Sequence, residues 1–216
     1  MIKRFKKNDI FRRVMNLKKR IKKKLGVTKE EAELLSIYLE ELLRWNEKIN
    51  LVGIKSPERI IDELLYDSIL AEYYIPKNGL LLDIGSGAGI PAIPIKIVRD
   101  DIKVYLVEAK IKKAVFLRHI IRKLGLGSIE VINKRMEQIE DEIPESFDAV
   151  TIRGVNLQEG IELAIPYTRR IILFQGRDWR KKLSELGDLI KEAKIKTKPY
   201  TVYGKSRAIV IIDLPA

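Results

Sequence analysis

The spacing of apolar residues changes once along this chain. Between residues 10 and 74 they recur every three or four positions, as on one face of an amphipathic helix. From residue 80 onward, short runs of consecutive apolar residues alternate with segments of helical spacing. The pattern therefore predicts an N-terminal helical part, followed by a part in which strands and helices alternate.

Three helices are predicted in the N-terminal part. The first ends at Gly26, and the second begins at a capping box made by Thr28 and Glu31. The third begins at Ser56, has Pro57 in its first position, and runs to about residue 74. The apolar face of the first helix consists of Ile10, Phe11, Val14, Leu17, Ile21 and Leu25.

The second part is predicted to form a Rossmann-like α/β fold, with a parallel sheet covered by helices on both faces. Its strands are predicted at 80–84, 103–108, 129–133, 147–152 and 169–174. Its helices are predicted at 91–99, 110–124, 157–165 and 178–193. Two further β-rich runs, 200–203 and 207–213, flank Gly204 and predict a closing antiparallel hairpin.

The composition is that of a globular protein, with 46% hydrophobic and 33% charged residues in 216. We expect an arm over residues 1–26 and a main domain over 27–216, which is divided into helices (27–75) and an α/β core (79–216). No apolar run is long enough for a membrane helix and no secretory signal is recognisable, so a cytoplasmic location is expected. The absence of cysteine excludes disulfides, thiolate metal sites and cysteine nucleophiles, and no metal is expected.

The positive charge of the chain is concentrated in the arm. The net charge is +12, and residues 1–25 hold twelve lysine or arginine residues against a single acid, Asp9. A helical face of one sign binds phosphates or an anionic membrane surface, and the alternative is a solvated charged face. The residues expected to contact nucleic-acid phosphates are Arg12, Arg13, Lys18, Lys19, Arg20, Lys22, Lys23 and Lys24.

Three glycines follow the first predicted strand in the segment LLLDIGSGAGIP (80–91). Gly85, Gly87 and Gly89 stand on alternate positions, and Asp83 precedes the first of them by two residues. Glycines at the carboxyl end of a strand permit positive φ and let a ligand approach the backbone, and the alternative is a tight turn without a ligand. A dinucleotide fingerprint would have its third glycine at position 90, which is Ile90.

The acids at the strand ends indicate the ligand. A carboxylate at Asp83 repels a pyrophosphate but attracts the sulfonium and ammonium groups of S-adenosylmethionine, which carries no phosphate. Glu108 ends the second strand, where an acid accepts the ribose hydroxyls of an adenosine, and the alternative is a simple strand-end charge. After the third strand, Met136 and Glu137 either border the adenine or serve as a core residue and a turn residue.

Several segments resemble the bacterial small-subunit ribosomal RNA (guanine-N7) methyltransferases, the family called glucose-inhibited division protein B. The resemblance covers about residues 35–155, in the order and spacing of the family. The elements WN…NL and DS lie outside the generic cofactor motif and make the match specific to this family. The matching segments are RWNEKINLVGI (44–54), LLYDSIL (64–70), LLDIGSGAGIPAIPI (81–95), KKAVFLRHIIRKLGL (112–126), NKRMEQI (133–139) and FDAVTIRGV (147–155).

The resemblance implies a class I S-adenosylmethionine-dependent methyltransferase that acts on N7 of one guanine in small-subunit ribosomal RNA. It implies that Arg153 lies at the mouth of the cofactor and substrate site. We expect Arg153, together with Asn156 or Asp67, to hold the base or its phosphate. The cofactor contacts that the resemblance implies are Gly85, Glu108, Ile90, Met136, Glu137 and Arg153.

The chemistry of N7 methylation agrees with what the sequence lacks. Guanine N7 has an in-plane lone pair and no proton, so its methylation needs positioning and no general base. Methylation of pyrimidine C5 uses a cysteine, which is absent, and the [N/D]-P-P-[Y/F] run of amine methyltransferases is replaced after the fourth strand by TIRGVN. The lone histidine, His119, is expected to be a packing or surface residue, and Trp45 either packs or stacks on a base.

Other functions on the same fold remain open at this point. A small-molecule methyltransferase would leave the basic arm without a purpose, and a non-catalytic RNA-binding protein would keep a relic cofactor pocket. A nicotinamide oxidoreductase is disfavoured by Asp83 and Ile90. We expect a monomer whose partner is small-subunit ribosomal RNA or the ribosomal subunit, with no membrane partner.

Overall fold

The computed structural model describes residues 7–139 and 142–215, with side chains described from residue 16 onward. A π-helical turn, Ile61–Leu65, joins α3 to α4. The helices are α1 (Lys7–Leu25), α2 (Lys29–Asn46), α3 (Pro57–Ile60), α4 (Tyr66–Ala71), α5 (Ala92–Val98), α6 (Ile111–Leu124), α7 (Leu157–Ala164) and α8 (Trp179–Ser184). The strands are β1 (Leu80–Ile84), β2 (Lys103–Val107), β3 (Ile129–Ile132), β4 (Ala149–Ile152), β5 (Arg170–Gln175), β6 (Lys194–Val202) and β7 (Lys205–Asp213).

The seven strands form one sheet in the order β3-β2-β1-β4-β5-β7-β6. The first five are parallel to one another, whereas β7 is antiparallel to β5 and β6 is antiparallel to β7. The predicted Rossmann-like sheet with a closing antiparallel hairpin is therefore confirmed. Since the strand order reverses between β1 and β4, a ligand crevice is expected beyond the carboxyl ends of those strands.

Two apolar cores cover the two faces of the sheet. On one face, α1 to α4 pack together with α5 and α6, and Leu17 and Ile21 of α1 are buried in that core. On the other face, the buried residues come from α7, α8 and the strands, with Ile161 and Trp179 among them. The strands β1, β2, β4 and β5 are buried on both sides, which is why they read as continuous apolar runs in the sequence.

The C-terminal hairpin differs from the prediction at its first strand. The helix expected at 178–193 ends at Ser184, a short 3₁₀ turn follows at Gly187–Ile190, and β6 begins at Lys194 instead of residue 200. Most of β6 is exposed because it is the edge strand, so no apolar pattern marks its first half. Its alternating lysines and Pro199 are features that protect a free sheet edge from further pairing.

The predicted capping box and the packing of Trp45 are confirmed. The capping box is formed, with the Glu31 amide donating to Thr28 Oγ1 at 3.1 Å and the Thr28 amide donating to Glu31 Oε2 at 2.7 Å. Trp45 packs against Phe116, with ring centroids 5.5 Å apart, and against His119 at 5.2 Å. Among the described residues, no helix is both long enough and apolar enough to span a membrane.

Glu41 of α2 is a buried carboxylate that joins α2 to α6. Burial favours its neutral form, but hydrogen bonds from Lys123, His119 and Arg44 outweigh burial and lower the pKa of Glu41 to about 2. A folded-state pKa below the ordinary value near 4.5 means that Glu41 contributes stability above that pH. This contribution is lost as the pH falls from about 4.5 towards 2.

We therefore predict that Glu41→Gln lowers the free energy of unfolding at pH 7 and that its deficit relative to the wild-type protein shrinks as the pH falls below 4.5. Urea unfolding followed by circular dichroism at several pH values measures both free energies. An exposed matched control, Glu185→Gln in the pair with Lys181, should change the free energy little at any pH. A deficit of equal size at pH 7 and pH 3 would contradict the prediction.

Candidate active site

Asp83 lies at the end of β1, beside Thr151 of β4 in the parallel register. The Thr151 hydroxyl donates to Asp83 Oδ1 at 2.6 Å. The second carboxylate oxygen, Oδ2, is buried and has no hydrogen-bond partner among the described residues. A buried acceptor without a partner is unfavourable in the free protein and can be satisfied by a donor from a ligand.

The environment of Asp83 shifts its ionisation. Burial raises the pKa of Asp83 to about 6, although the hydrogen bond from Thr151, the nearby hydroxyl of Ser86 and the charge of Arg153 oppose the rise. The nearby Glu108 adds to it by repulsion. A cationic group placed at Oδ2 would lower the pKa of Asp83 again, because an opposite charge stabilises the ionised carboxylate.

The glycine segment after β1 is a tight turn in which Gly85 and Gly89 are required by neighbouring side chains. Gly85 has φ +70°, and a Cβ placed there would lie 2.7 Å from Cγ1 of Val155. Gly89 has φ +80°, and its Cβ would collide with Ile93. The hydroxyl of Tyr38 stabilises the turn by donating a hydrogen bond to the Ala88 carbonyl at 2.8 Å. The turn therefore brings the backbone of residues 85–89 close to the ends of β1 and β4.

Glu108 connects this turn to the end of β2. Its Oε2 accepts the Gly87 amide at 2.8 Å, and its Oε1 accepts the Lys110 amide at 2.7 Å. Asn133 donates to the Glu108 carbonyl at 2.8 Å and so holds the end of β3 beside it. Each carboxylate oxygen retains one lone pair, so Glu108 can still accept two hydroxyl donors.

The other predicted site residues occupy different environments. Ile90 is buried with the first core, and Met136 is buried with the second. Glu137, in the short 3₁₀ turn after β3, is exposed. Asn156 is engaged as the N-cap of α7, where its Oδ1 accepts the Glu159 amide at 3.1 Å.

Arg153 follows β4 and forms a paired contact with Asp67 of α4. Its Nη1 and Nη2 donate to the two oxygens of Asp67 at 2.8 and 2.9 Å. Tyr200 of β6 donates to Asp67 Oδ2 at 2.8 Å, and the guanidinium carbon lies 5.0 Å from the centroid of the Phe174 ring. Asp67 is 1% exposed and Arg153 is 15% exposed, so the Asp67–Arg153 pair is held in one position at the edge of the crevice.

A cleft of about 500 Å³ opens beside Arg153, beyond the ends of β4 and β5. It is lined on one side by Gly154, Val155 and Asn156 and on the other by Phe174, Gln175 and Lys182. Val155 forms the boundary between this cleft and the glycine turn, because its Cγ1 approaches Gly85. The arrangement brings together one buried acid, one paired arginine and an open cleft at the carboxyl edge of the sheet.

The cations of the arm are only partly available to a partner. Lys18 pairs with Glu33, Arg20 donates to Asp62 at 2.5 Å, and Lys24 lies 4.4 Å from the centroid of the Tyr66 ring. The remaining described cations, Lys19, Lys22 and Lys23, are exposed on α1. The side chains of Arg12 and Arg13 lie outside the described residues.

Three residues of this site were missed in the sequence analysis. Thr151 is an ordinary strand residue there, and only the register of β4 beside β1 makes it the partner of Asp83. Tyr38 lies in a helical apolar pattern that does not separate a core tyrosine from one that supports a turn. Tyr200 was assigned to a strand, but nothing in that pattern pointed to its contact with Asp67.

Comparison with known proteins identifies relatives over most of the chain. The family model GidB, described as rRNA small subunit methyltransferase G, matches residues 31–210. A ribosomal RNA small subunit methyltransferase G of Syntrophotalea carbinolica is 34% identical over 198 residues, which are 87% of this chain and 91% of that protein. The protein of the same name from a Geobacter species, strain M21, is 35% identical over 201 residues, with 87% and 92% covered.

Solved structures with a similar fold are methyltransferases. An O-methyltransferase from Bacillus cereus in complex with SAH superposes with a TM-score of 0.59 at 22% identity, covering 82% of this chain and 90% of the other. A SAM-dependent methyltransferase from Aquifex aeolicus gives a TM-score of 0.55 at 15% identity, with 82% and 98% covered. At these identities the likeness shows the fold alone.

The Asp67–Arg153 pair generates a prediction about stability. We predict that Asp67→Asn lowers the free energy of unfolding by about 3–5 kcal/mol, because it leaves the Arg153 guanidinium buried without its counter-charge. Chemical denaturation measures the change. As a matched control, Asp188→Asn removes a carboxylate that forms only an exposed pair with Lys191 at 3.8 Å, and it should have little effect. Equal effects of the two substitutions would contradict the prediction.

Proposed function

Because the chain belongs to the GidB family of small-subunit ribosomal RNA methyltransferases, we propose that it transfers the methyl group of S-adenosylmethionine to N7 of a guanine in 16S ribosomal RNA. The observation that carries the choice of cofactor is the buried Oδ2 of Asp83, which lies before the glycine turn and accepts no hydrogen bond from any residue that the structure describes. We further propose that the protein acts as a monomer on the RNA or on the small subunit, and in the cytoplasm, where that substrate is found.

The residues present fit a cationic adenosine cofactor. Asp83 offers an unpaired acceptor to an ammonium or sulfonium group, and a pyrophosphate in the same place would meet an uncompensated carboxylate. Glu108 has lone pairs for the ribose hydroxyls. We assign the glycine turn (Gly85, Gly87 and Gly89), Ile90, Met136 and Glu137 to the remainder of the cofactor site, on the strength of their match to the family motif.

Guanine N7, the proposed methyl acceptor, needs little chemical assistance from the protein. When bound, the cofactor supplies an electrophilic methyl group, and guanine N7 contributes a lone pair without having to lose a proton. No side chain has to act as a general base, so the protein contributes by placing the two groups in line and excluding water. We propose that the cleft beside Val155 receives the base.

Arg153 is the residue we propose to contact the base or its phosphate. Its guanidinium is held by Asp67 and by the ring of Phe174, so little side-chain freedom remains to be lost when the RNA binds. Nη2 also donates to the Glu63 carbonyl at 3.4 Å, so the Nε–H and the outer N–H of Nη1 remain as donors to guanine O6 or to a phosphate oxygen. Asp67 then acts through Arg153, by fixing its orientation.

The direct test of this function is methyl transfer from labelled S-adenosylmethionine. We predict that the purified protein labels small ribosomal subunits or naked 16S RNA and that nuclease digestion followed by mass spectrometry finds the label in 7-methylguanine. If the cofactor binds in calorimetry but no RNA is labelled, the relic-pocket alternative is favoured. If a small molecule is labelled and deletion of residues 1–25 changes nothing, the small-molecule alternative is favoured.

The pKa of Asp83 gives a prediction for cofactor binding. Since a cation binds the ionised carboxylate, the affinity for S-adenosylmethionine should rise about fivefold from pH 5 to pH 6 and about tenfold from pH 5 to pH 7, and become nearly constant above pH 7. Asp83→Asn should bind the cofactor weakly, with no dependence on pH in this range. Isothermal titration calorimetry in buffers of equal ionic strength measures both profiles.

A stability measurement provides the control for the same substitution. Because the folded-state pKa of Asp83 is raised, its ionisation costs stability, and this cost appears as the pH rises from about 4 to 6. Asp83→Asn should therefore unfold at a higher temperature than the wild-type protein at pH 7.5 without cofactor. A variant that binds the cofactor weakly because it is misfolded would instead unfold at a lower temperature.

A further inference from the structure

The turn between β6 and β7 has an unusual residue in a conformationally restricted position. Val202 pairs with Lys205, so the turn consists of Tyr203 and Gly204, and both have positive φ, +49° and +69°. Two-residue turns of this kind favour asparagine, aspartate or glycine in the first position, because a side chain with positive φ is strained. A tyrosine with this backbone conformation suggests a role that compensates for the strain.

Tyr203 is fixed in position and yet open to solvent. Its hydroxyl donates to Asp62 Oδ2 at 2.6 Å, and Arg20 of α1 donates to the same oxygen. The Arg59 guanidinium carbon lies 5.9 Å from the centroid of the ring. Despite these contacts, the residue is 53% exposed. A large aromatic surface that is ordered before binding loses little entropy when a partner stacks on it.

The turn lies at the same edge of the sheet as the candidate active site. Ala208 of β7 pairs with Gln175, the last residue of β5, so the strand extends three residues further, to Lys205, at the carboxyl edge. Asp83 and Arg153 lie at that edge, at the ends of β1 and β4. In addition, Tyr200 of β6 donates to Asp67, the partner of Arg153. The hairpin is therefore joined to the mouth of the site by a direct contact.

Two arginines lie close to this aromatic surface, Arg59 near the ring and Arg20 on the Asp62 oxygen that the tyrosine hydroxyl binds. Arg20 joins α1 to Asp62 beneath the turn, and the exposed Lys22 and Lys23 follow on the same helix. Lys205, directly after the turn, is exposed as well. Cations that contact phosphates beside an aromatic ring that stacks on a base are the combination by which proteins bind unpaired RNA nucleotides.

We propose that the β6–β7 turn is a second RNA contact of this protein, in which the Tyr203 ring stacks on an unpaired base near the target guanine and Lys205 contacts a neighbouring phosphate. The inference rests on the proposed function, because it takes RNA as the substrate. Single-stranded RNA is the occupant that fits, since every base offers a flat face to the ring and the adjoining surface is cationic.

The test uses the full-length protein with Tyr203→Asn, Tyr203→Phe and Lys205→Gln. Asparagine tolerates the positive φ of the turn, so Tyr203→Asn removes the ring while the hairpin is retained. Tyr203→Phe keeps the ring and removes the hydrogen bond to Asp62. Affinity for 16S RNA is measured by filter binding at several salt concentrations, with thermal unfolding and cofactor calorimetry as checks that each variant is folded.

We expect Tyr203→Asn to unfold at a temperature equal to or above that of the wild-type protein and to bind the cofactor normally. Its RNA affinity should fall by about 5- to 150-fold, the range of one base–aromatic stack, with an unchanged salt dependence. Tyr203→Phe should bind RNA nearly as well as the wild type. Lys205→Gln should weaken binding and reduce the slope of log affinity against log salt by about one.

Three outcomes would overturn the proposal. Wild-type RNA affinity in Tyr203→Asn would show that the ring contacts no base. An equal loss in Tyr203→Phe and Tyr203→Asn would show that the hydrogen bond to Asp62 matters and the ring does not. A wild-type protein that neither binds nor methylates RNA would refute the proposed function and this inference together, whereas the first two outcomes leave the proposed function intact.

Discussion

The structure around the site depends on the pairing of three buried carboxylates within one helical stretch, Asp62, Glu63 and Asp67. Charged groups are costly to bury without a partner, and each of the three has a cation from another part of the chain. Asp62 pairs with Arg20 of α1, Glu63 with Arg207 of β7 as well as Arg59, and Asp67 with Arg153 after β4. The stretch contains the π-helical turn at Ile61–Leu65, in which hydrogen bonds link residues five apart. These pairs place the basic helix, the hairpin and the mouth of the crevice in fixed positions relative to one another.

Two buried aspartates at this edge show how the same residue type serves different purposes. Both oxygens of Asp67 are used by Arg153, and Tyr200 adds a further donor, so its charge is compensated within the protein. Asp83 accepts a hydrogen bond from Thr151 on one oxygen and none on the other within the described part of the chain, and burial raises its pKa. The first holds a neighbouring side chain in place. The second stores an unfavourable interaction that a cationic ligand can relieve, at a cost in stability to the free protein.

The basic surface is divided between contacts that build the protein and contacts that remain for RNA. Arg20, Lys18 and Lys24 of α1 interact with Asp62, Glu33 and Tyr66, so a count of cations in the arm overstates the number that are free for phosphates. The hairpin adds to this surface from the opposite end of the chain. The acid Asp62 receives both Arg20 and Tyr203, and it thereby joins the two RNA-facing elements that we propose. Lys205 and the exposed lysines of α1 remain around them.

The sequence by itself determined the class of fold, the order of its elements and the chemistry of the glycine segment. Each of these is a local property: apolar spacing reports the burial of one element, and Asp83 with its glycines is a continuous motif. Only the tertiary structure decided that Tyr200 meets Asp67 across 133 positions, that Arg153 meets Asp67 across 86, and that Thr151 meets Asp83 across 68. The first half of β6 was missed for the same reason, because an exposed edge strand buries neither face and carries no apolar pattern. The residue that pairs with a buried charge depends on which strands and helices become neighbours in the fold. The spacing of residues along one element does not determine this.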